Sequence, residues 1–562
     1  MTTTSTSSAA IVTGYTRTYV SGSSGFDSSA LIEAAVNAKL QPAVTLQAKV
    51  AANETKIAAY EEMQGYLADL MDALDVLRNA SGTTSTQSVF DSRAAYLTAS
   101  DGSTATSYLA VTVDNGVAAQ SFTVEIDQLA LSHKVGSGTQ SSKTEALGLS
   151  GSFTLGTEGG ESTTITVDTG MSLANIATAI NATTETSGVQ ASVLKVSDSS
   201  YMLVLSSSET GQTIELADTD GVAQSLGIVD GTGAFANELQ AAQNAIVKID
   251  GVTIESSSNT IEDALTGVQF DLYVAKPGTS ITVEVEPDYS DVKEAVEAFV
   301  TAYNAYREFA LANQAVASDG TVSESAVLFG DSILRSTNAT INSAFAQMIE
   351  TGDGKTSLGA LGITFDKNNY LVIDDDTFDK AIVDNFDAVA KLFEFQFTAS
   401  SDDLLVLRDD SALASGTYVL DIATDAEGNI TSVSVDGDDS LFTVSGTVLT
   451  GAEGSAFAGL KLVYAGTDSA SVTFTISQGI ADLLYDSLTG IANSTSGRLA
   501  TAIAAIETEN TTKTEKANLI IERAYAYEER LISYYANLEA KIAAANTALA
   551  VIKAILNADD DD

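Results

Sequence analysis

An α+β multidomain fold, with coiled-coil-like terminal helices carrying nested antiparallel β-rich domains, follows from three observations. Residues 43–78 and 477–557 place apolar side chains at helical spacing. The sequence between them alternates apolar and polar residues with period two. Helical spacing then returns at 291–316, giving the order helix, β, helix, β, helix. Nested insertions into a helical framework explain that order better than independent domains in a row. First and last helices that can pair suit a part built into an assembly.

A first helix is expected over 28–40, capped by Asp27 or Ser28, with Leu31, Ile32, Ala35, Val36 and Leu40 on one face. Pro42 interrupts it or starts the next helix. From there Leu46, Val50, Asn53, Ile57, Tyr60, Gln64, Leu67, Met71 and Leu74 form a seam, which Ser81 and Gly82 end. Polar Asn53 and Gln64 on that seam cost stability and set register or partner number.

Half-buried strands follow. Phe122, Val124 and Ile126 alternate with polar neighbours, as do Ile281, Val283 and Val285, and Val472, Phe474 and Ile476. Asp-Gly and Asn-Gly pairs at 101, 115, 250 and 436 supply turns. Short helices are expected near 172–181 and 259–265, and longer ones over 291–316, 331–350 and 377–395. The stretch 480–506 is helical with a kink or break at 494–497. Leu531, Tyr535, Leu538, Ile542, Ala545, Leu549, Ile552 and Leu556 then step by four and three, a span of roughly 39 Å at ~1.5 Å per residue.

Length and charge bound the function. The chain has 562 residues, 44% of them hydrophobic, and a formal net charge of −48. That suffices for several packed cores. Such acidity repels phosphate backbones and anionic lipid, so nucleic acid is not an expected partner. No window is long and apolar enough for membrane insertion, and no cleaved secretory signal is evident in 1–24. The absence of Cys excludes disulfides and thiolate chemistry.

Catalytic, cofactor and metal residues are not expected. His133 is the one histidine, so a Ser-His-acid triad would have to use it; a strand-end or turn role is the simpler reading. Residues 231–236 (GTGAFA) lack the strand-loop-helix context of a dinucleotide site. Asp218, Asp220 and the acidic run from Asp436 to Asp439 lack the full spacing of a calcium loop. The four aspartates at 559–562 read as a solvated tail.

Several strings carry a family resemblance. Residues 24–42 (SGFDSSALIEAAVNAKLQP) resemble the N-terminal motif of the flagellar filament cap family, FliD or hook-associated protein 2, with Phe26 in place of the usual Leu. Residues 250–272 look like the IN motif of flagellins and hook-associated proteins, with a diverged copy at 165–205. Residues 330–335 (GDSILR), 358–373 (LGALGITFDKNNYLVI) and 385–393 (NFDAVAKLF) are similar to the family's central helical segment. Residues 400–476 are less typical and read as an added β module.

The resemblance implies a ring homo-oligomer, usually a pentamer, at the distal tip of the bacterial flagellum. Its implied partners are flagellin, the filament tip or junction proteins, and an export chaperone. It also implies an extracellular place, reached without a cleaved signal peptide. Oligomerisation and filament docking would fall to Leu31, Ile32, Val36, Leu40, Leu531, Tyr535, Leu538, Ile542, Leu549 and Ile552. The expected division is an export segment at 1–24 and docking helices at 25–42 and 531–562. A helical leg domain takes 43–84, 288–399 and 477–530. Two β-rich head domains take 85–140 with 240–287, and 141–239, and the inserted module takes 400–476. The alternatives are another flagellar axial or junction protein, and a surface adhesin acting through the β domains.

Overall fold

The computed structural model describes residues 28–79, 88–316, 319–350, 354–409, 413 and 415–559. The longer helices among them are α1 (Ser29–Asp75), α2 (Leu173–Asn181), α3 (Tyr289–Ala312), α4 (Ser332–Phe345), α5 (Asp375–Asp384), α6 (Phe386–Phe393), α7 (Ile480–Ala492) and α8 (Arg498–Asp559). The chain divides into two compact units, Val89–Val292 and the flanking stretches Met1–Ser88 with Lys293–Asp562.

The unit Val89–Val292 holds two β-rich cores. In the first, a five-stranded antiparallel sheet runs in the order Arg93–Ala99, Ser280–Pro287, Gln120–Gln128, Ala245–Ile249, Val252–Ser256. Period-two alternation turns Phe122, Val124, Ile126, Ile281, Val283 and Val285 inward, where they meet Phe270 and Leu109 of a three-stranded sheet. The second core joins a four-stranded and a three-stranded sheet under α2, around Phe153, Leu155, Ile176, Ile180, Leu203 and Leu205. A reciprocal capping box between Ser172 and Asn175 starts α2. Strand Lys134–Gln140, expected in the first domain, pairs with Ser200–Ser207, and its Val135 lies in the second core. The passage from one core to the other therefore falls near 129–133.

The helix expected at 259–265 is a strand, Thr260–Leu265, paired with Val268–Leu272. Ile261, Ala264 and Leu265 have helical spacing, but Gly267 at φ 73° closes a hairpin that captures the segment. Cross-strand pairing outweighs a weak local preference.

In the other unit, α3 buries Val296, Phe299, Val300, Tyr303, Tyr306 and Phe309. Phe299 packs edge-on against Phe345 of α4 and Phe393 of α6. Asn304 clamps a hairpin by donating to the Leu371 carbonyl (2.9 Å) and accepting from its N–H (2.8 Å). The region expected as one helix over 377–395 is two, because Asn385 leaves helical geometry and caps α6 through the Ala388 N–H.

The inserted module is a pair of four-stranded antiparallel sheets around Leu420, Leu449, Leu462, Val472 and Phe474. The chain leaves the helices at Phe393 and returns at Gly479, and the two points touch. A Cβ on Gly479 would stand 2.1 Å from the Phe393 carbonyl oxygen, so only glycine fits.

Candidate assembly interface

The paired terminal helices are the most distinctive surface of the helical unit. α1 and α8 run antiparallel: as α1 numbers fall from Asn53 to Lys39 to Ile32, the partners on α8 rise from Asn510 to Tyr527 to Leu531. Buried and half-buried positions on α8 step by three and four through Leu499, Ile503, Ile506, Asn510, Lys513, Ala517, Ile521, Ala524, Glu528 and Leu531. That is the spacing of an antiparallel coiled-coil seam.

α1 runs unbroken through Pro42. The missing N–H removes one helical hydrogen bond, but Ile32, Val36 and Leu40 before it and Ala43 after it are buried. Continuous packing carries the helix through a residue expected to divide it or start the next. Ser28 occupies the N-cap position without a side-chain capping bond, and α1 ends at Asp75. Asp27, the 1–24 segment, Ser81 and Gly82 lie outside the described residues.

Polar ties fix the register. Asn53 Nδ2 donates to Asn510 Oδ1 at 2.8 Å across the seam. Gln64 Nε2 donates to the Ala492 carbonyl at 2.7 Å, where α7 ends. Asp331 accepts from the Ile333 and Leu334 N–H groups to cap α4, while its other oxygen accepts from Tyr60 (2.7 Å) and pairs with Lys56 (2.9 Å). Burial alone would raise the Asp331 carboxyl, but the bonds from Lys56, Tyr60 and the two N–H groups outweigh it and hold it below the usual range. Burial and the bond to Asp331 push Tyr60 up. Gly330 and Asp331 of the GDSILR string are thus a turn and a cap that seat α4 on α1.

A second ionic cluster sits at the other end of α1. Arg78 pairs with Asp75 at 2.9 Å, lies 3.6 Å from Asp482 and 3.8 Å from Asp486, and stacks 3.5 Å above the Tyr485 ring. Arg78 and Asp482 are both buried. Such a charge group costs desolvation and is held by its geometry.

The structure sorts the expected residues into three groups. On the α1 seam, Tyr60, Leu67 and Leu74 are buried, while Leu46, Val50, Asn53, Ile57, Gln64 and Met71 are half-buried. Met63 and Leu70, absent from the expected seam, are fully buried. Of the docking residues, Ile32, Val36 and Leu40 pack with Ala524, Leu531, Ile532 and Tyr535 within the chain itself. Leu538 and Ile542 are half-buried, and Leu31, Leu549 and Ile552 are exposed. The Leu556 side chain lies outside the described residues. The stretch of α8 from Asn510 to Glu528 falls within the expected helical region, but its seam positions are not among those singled out, although their three-four stepping was there to find.

The remaining candidates have structural surroundings. His133 is buried; its Nδ1 accepts from the Ile214 N–H (2.9 Å) and its Nε2 faces Glu238 (3.2 Å). Ser207 Oγ accepts from the His133 backbone N–H, not from the ring. Residues 231–236 close a turn on Asp230, which accepts from Thr232 and Ala234, and Val229 and Phe235 form a strand bridge across that turn. Asp220 holds Ser152, and Asp438 holds Ser440. Among the described residues no cluster of three or more His, Cys, Asp or Glu could hold a metal ion. Nor is any described helix long and apolar enough to cross a membrane.

Comparison with known proteins gives three family matches. The model of the flagellar hook-associated protein 2 C-terminus matches residues 242–547, and that of its N-terminus residues 24–133. The flagellin hook IN motif matches 152–209. This overlaps the copy expected at 165–205, and the string at 250–272 lies within the C-terminal match. The Ser-Ser-Asn-Thr-Ile string there forms a turn in which Asn259 bonds both polar atoms of the Ala130 backbone. The B-type flagellar hook-associated protein 2 of Pseudomonas aeruginosa is 30% identical over 294 residues, which are 49% of this chain and 61% of that protein. The flagellar hook-associated protein 2 of Salmonella typhimurium is 33% identical over 215 residues, 37% of this chain and 45% of that protein. The matched stretches thus span less than two thirds of these relatives. The crystal structure of the flagellar cap protein FliD D1-D2-D3 domains from Escherichia coli is 25% identical, covers 60% of this chain and 90% of that one, and aligns with a TM-score of 0.46.

Proposed function

The chain belongs to the flagellar hook-associated protein 2 family, and from that premise we propose that it is a structural cap at the distal tip of the bacterial flagellar filament. The observation that carries the reading is that the family's two models match α1 and α8 as far as residue 547, the two helices that pair within the chain. In this reading the chain forms a ring, most simply a pentamer, that retains exported flagellin and promotes its folding into the lattice. The end of α8, with Leu538, Ile542, Leu549 and Ile552, docks on the filament tip or on junction proteins. The chain is exported without a cleaved signal, with an export chaperone as a further partner. It has no catalytic role.

A Cys-free chain suits passage and refolding without cross-links. The Asn53–Asn510 pair suits a seam whose register must be kept while its end engages a moving partner. The test is negative-stain imaging of the purified chain alone and with filaments stripped of their caps. Rings, and density at filament tips, are expected; dispersed single copies that leave filament tips bare would refute the proposal.

A further inference from the structure

One edge of the second β core is closed along half of its length and open along the rest. Strand Val189–Ser197 is the last of its four-stranded sheet and pairs on its inner side with Ser200–Ser207. Asn181, the last residue of α2, closes the outer side at Ala191. Its Nδ2 donates to the Ala191 carbonyl at 2.8 Å, and its Oδ1 accepts from the Ala191 N–H at 2.7 Å. Thr184 Oγ1 donates to the Val189 carbonyl at 2.9 Å. Backbone groups of an antiparallel strand alternate in direction from residue to residue. Val193 and Lys195 therefore turn their N–H and C=O outward, as Ala191 does. These groups have no partner on that side among the described residues. Such an edge is a template for a further strand.

The side chains beside the open half are apolar and carry no net charge. Leu194 and Val196 are 54% and 53% exposed on the outer face of the sheet. Leu194 stands opposite Met202 on the neighbouring strand. Met202 and the exposed Leu239 crowd the space above Gly136, where a Cβ would lie 2.8 Å from the Met202 sulfur and 3.4 Å from Leu239 Cδ1. An apolar stripe thus crosses the sheet from Leu239 to the open edge. The charges nearest that edge, Lys195 and Asp198, pair with each other at 3.0 Å.

We propose that this open edge takes up an extended, largely uncharged segment of an unfolded chain as an added strand. Val193 and Lys195 hold its backbone, and Leu194 and Val196 meet its alternate apolar side chains. Under the capping proposal, on which the choice of partner rests, that chain is exported flagellin before it folds. Two outward-facing residues offer few backbone bonds, so the hold is weak and reversible, as release of a folding chain requires. A second copy does not fit the same place. Antiparallel pairing centred on Leu194, the register that would use Val193 and Lys195 of both copies, sets Ser197 of each against Ala191 of the other. Asn181 already occupies the edge there. A separate flexible segment can bend away at that point, whereas a strand fixed in a hairpin cannot.

The test uses the full-length chain and short overlapping peptides that tile the flagellin of the source bacterium. Affinity is read by fluorescence anisotropy, and the site by amide hydrogen exchange. At least one peptide should bind and slow exchange at the Val193 and Lys195 amides about tenfold. Lys195→Pro removes an outward N–H without touching the ladder to Ser200–Ser207, and an edge strand tolerates proline at such a position. Affinity should fall about tenfold in this variant, with the thermal midpoint close to the parent's. Leu194→Ser, confined to the exposed face, should weaken binding in the same direction and gives a second reading if the proline variant is unstable. Absence of binding by every peptide, or binding that neither variant weakens, would overturn the proposal. So would protection of the two amides that grows with the concentration of the chain alone, since copies would then be pairing there. Each of these results would leave rings and tip density as the separate test of capping.

Discussion

Asp331 does three jobs with one carboxylate: it caps α4, accepts from Tyr60 and pairs with Lys56. Its side chain is only 6% exposed, and of its two partners Tyr60 is buried while Lys56 still reaches water. Asp331→Ala should cost about 2 kcal/mol, read from urea unfolding, because a cap is lost and the buried Tyr60 hydroxyl is stranded. The pH dependence has a definite sign. A carboxyl held below its usual value in the folded chain contributes fully above the ordinary carboxylate range, and that contribution disappears as pH falls through the lowered folded value. The gap between the parent and Asp331→Asn should therefore narrow in acid; a constant gap would mean that the charge is not what matters. At the seam, Asn53→Leu should cost about 1 kcal/mol by leaving Asn510 without its seam partner, whereas the double change to Leu should recover it. A cycle showing simple additivity would remove the pair from its register role. Asn53 and Gln64 were legible as polar seam positions, but their partners were not. Asn510 hides among Glu507, Glu509 and Lys513, where charge masks the seam. Met63 and Leu70 escaped because this half of α1 meets α7 as well as α8, which widens the buried stripe beyond one seam.

Among the elements, the period-two strands were the most readable, since one buried face fixes every second residue. The breaks were less so. Pro42 marked a boundary that packing on both sides overrides, and the hairpin closed by Gly267 captured a segment with helical spacing. Gly479 carries no sequence signal at all, yet it lets the inserted module leave and rejoin the helices at one point. Gly479→Ala should lower stability by about 2 kcal/mol or more, because a backbone carbonyl occupies the space its Cβ needs. An unchanged thermal midpoint would show that the junction can yield. The end of α8 should behave oppositely. Leu538 and Ile542 are only half-buried within one copy, so Asp at either position should leave circular dichroism and the unfolding midpoint nearly as in the parent. Docking should fail in both variants, since burying an unpaired carboxylate at an interface costs several kcal/mol. Normal assembly by both would move the docking face elsewhere on the molecule.

For the whole molecule, construction rather than chemistry is the theme. The family strings and the helix-β-helix order were legible in the sequence. The packing of Ile32, Val36 and Leu40 against α8 was not, because it joins residues some 500 positions apart. The far end of α8 keeps Leu549, Val551, Ile552 and Ile555 exposed, and it is there that docking is proposed. The most direct test of capping is filament length, measured by electron microscopy in the source bacterium without this gene and after its return. Loss of the gene should leave short or absent filaments with monomeric flagellin in the medium, and the intact chain should restore length. The Leu538→Asp, Ile542→Asp double variant should be exported and folded yet fail to restore it. Filaments of normal length in the strain that lacks the gene would contradict the account.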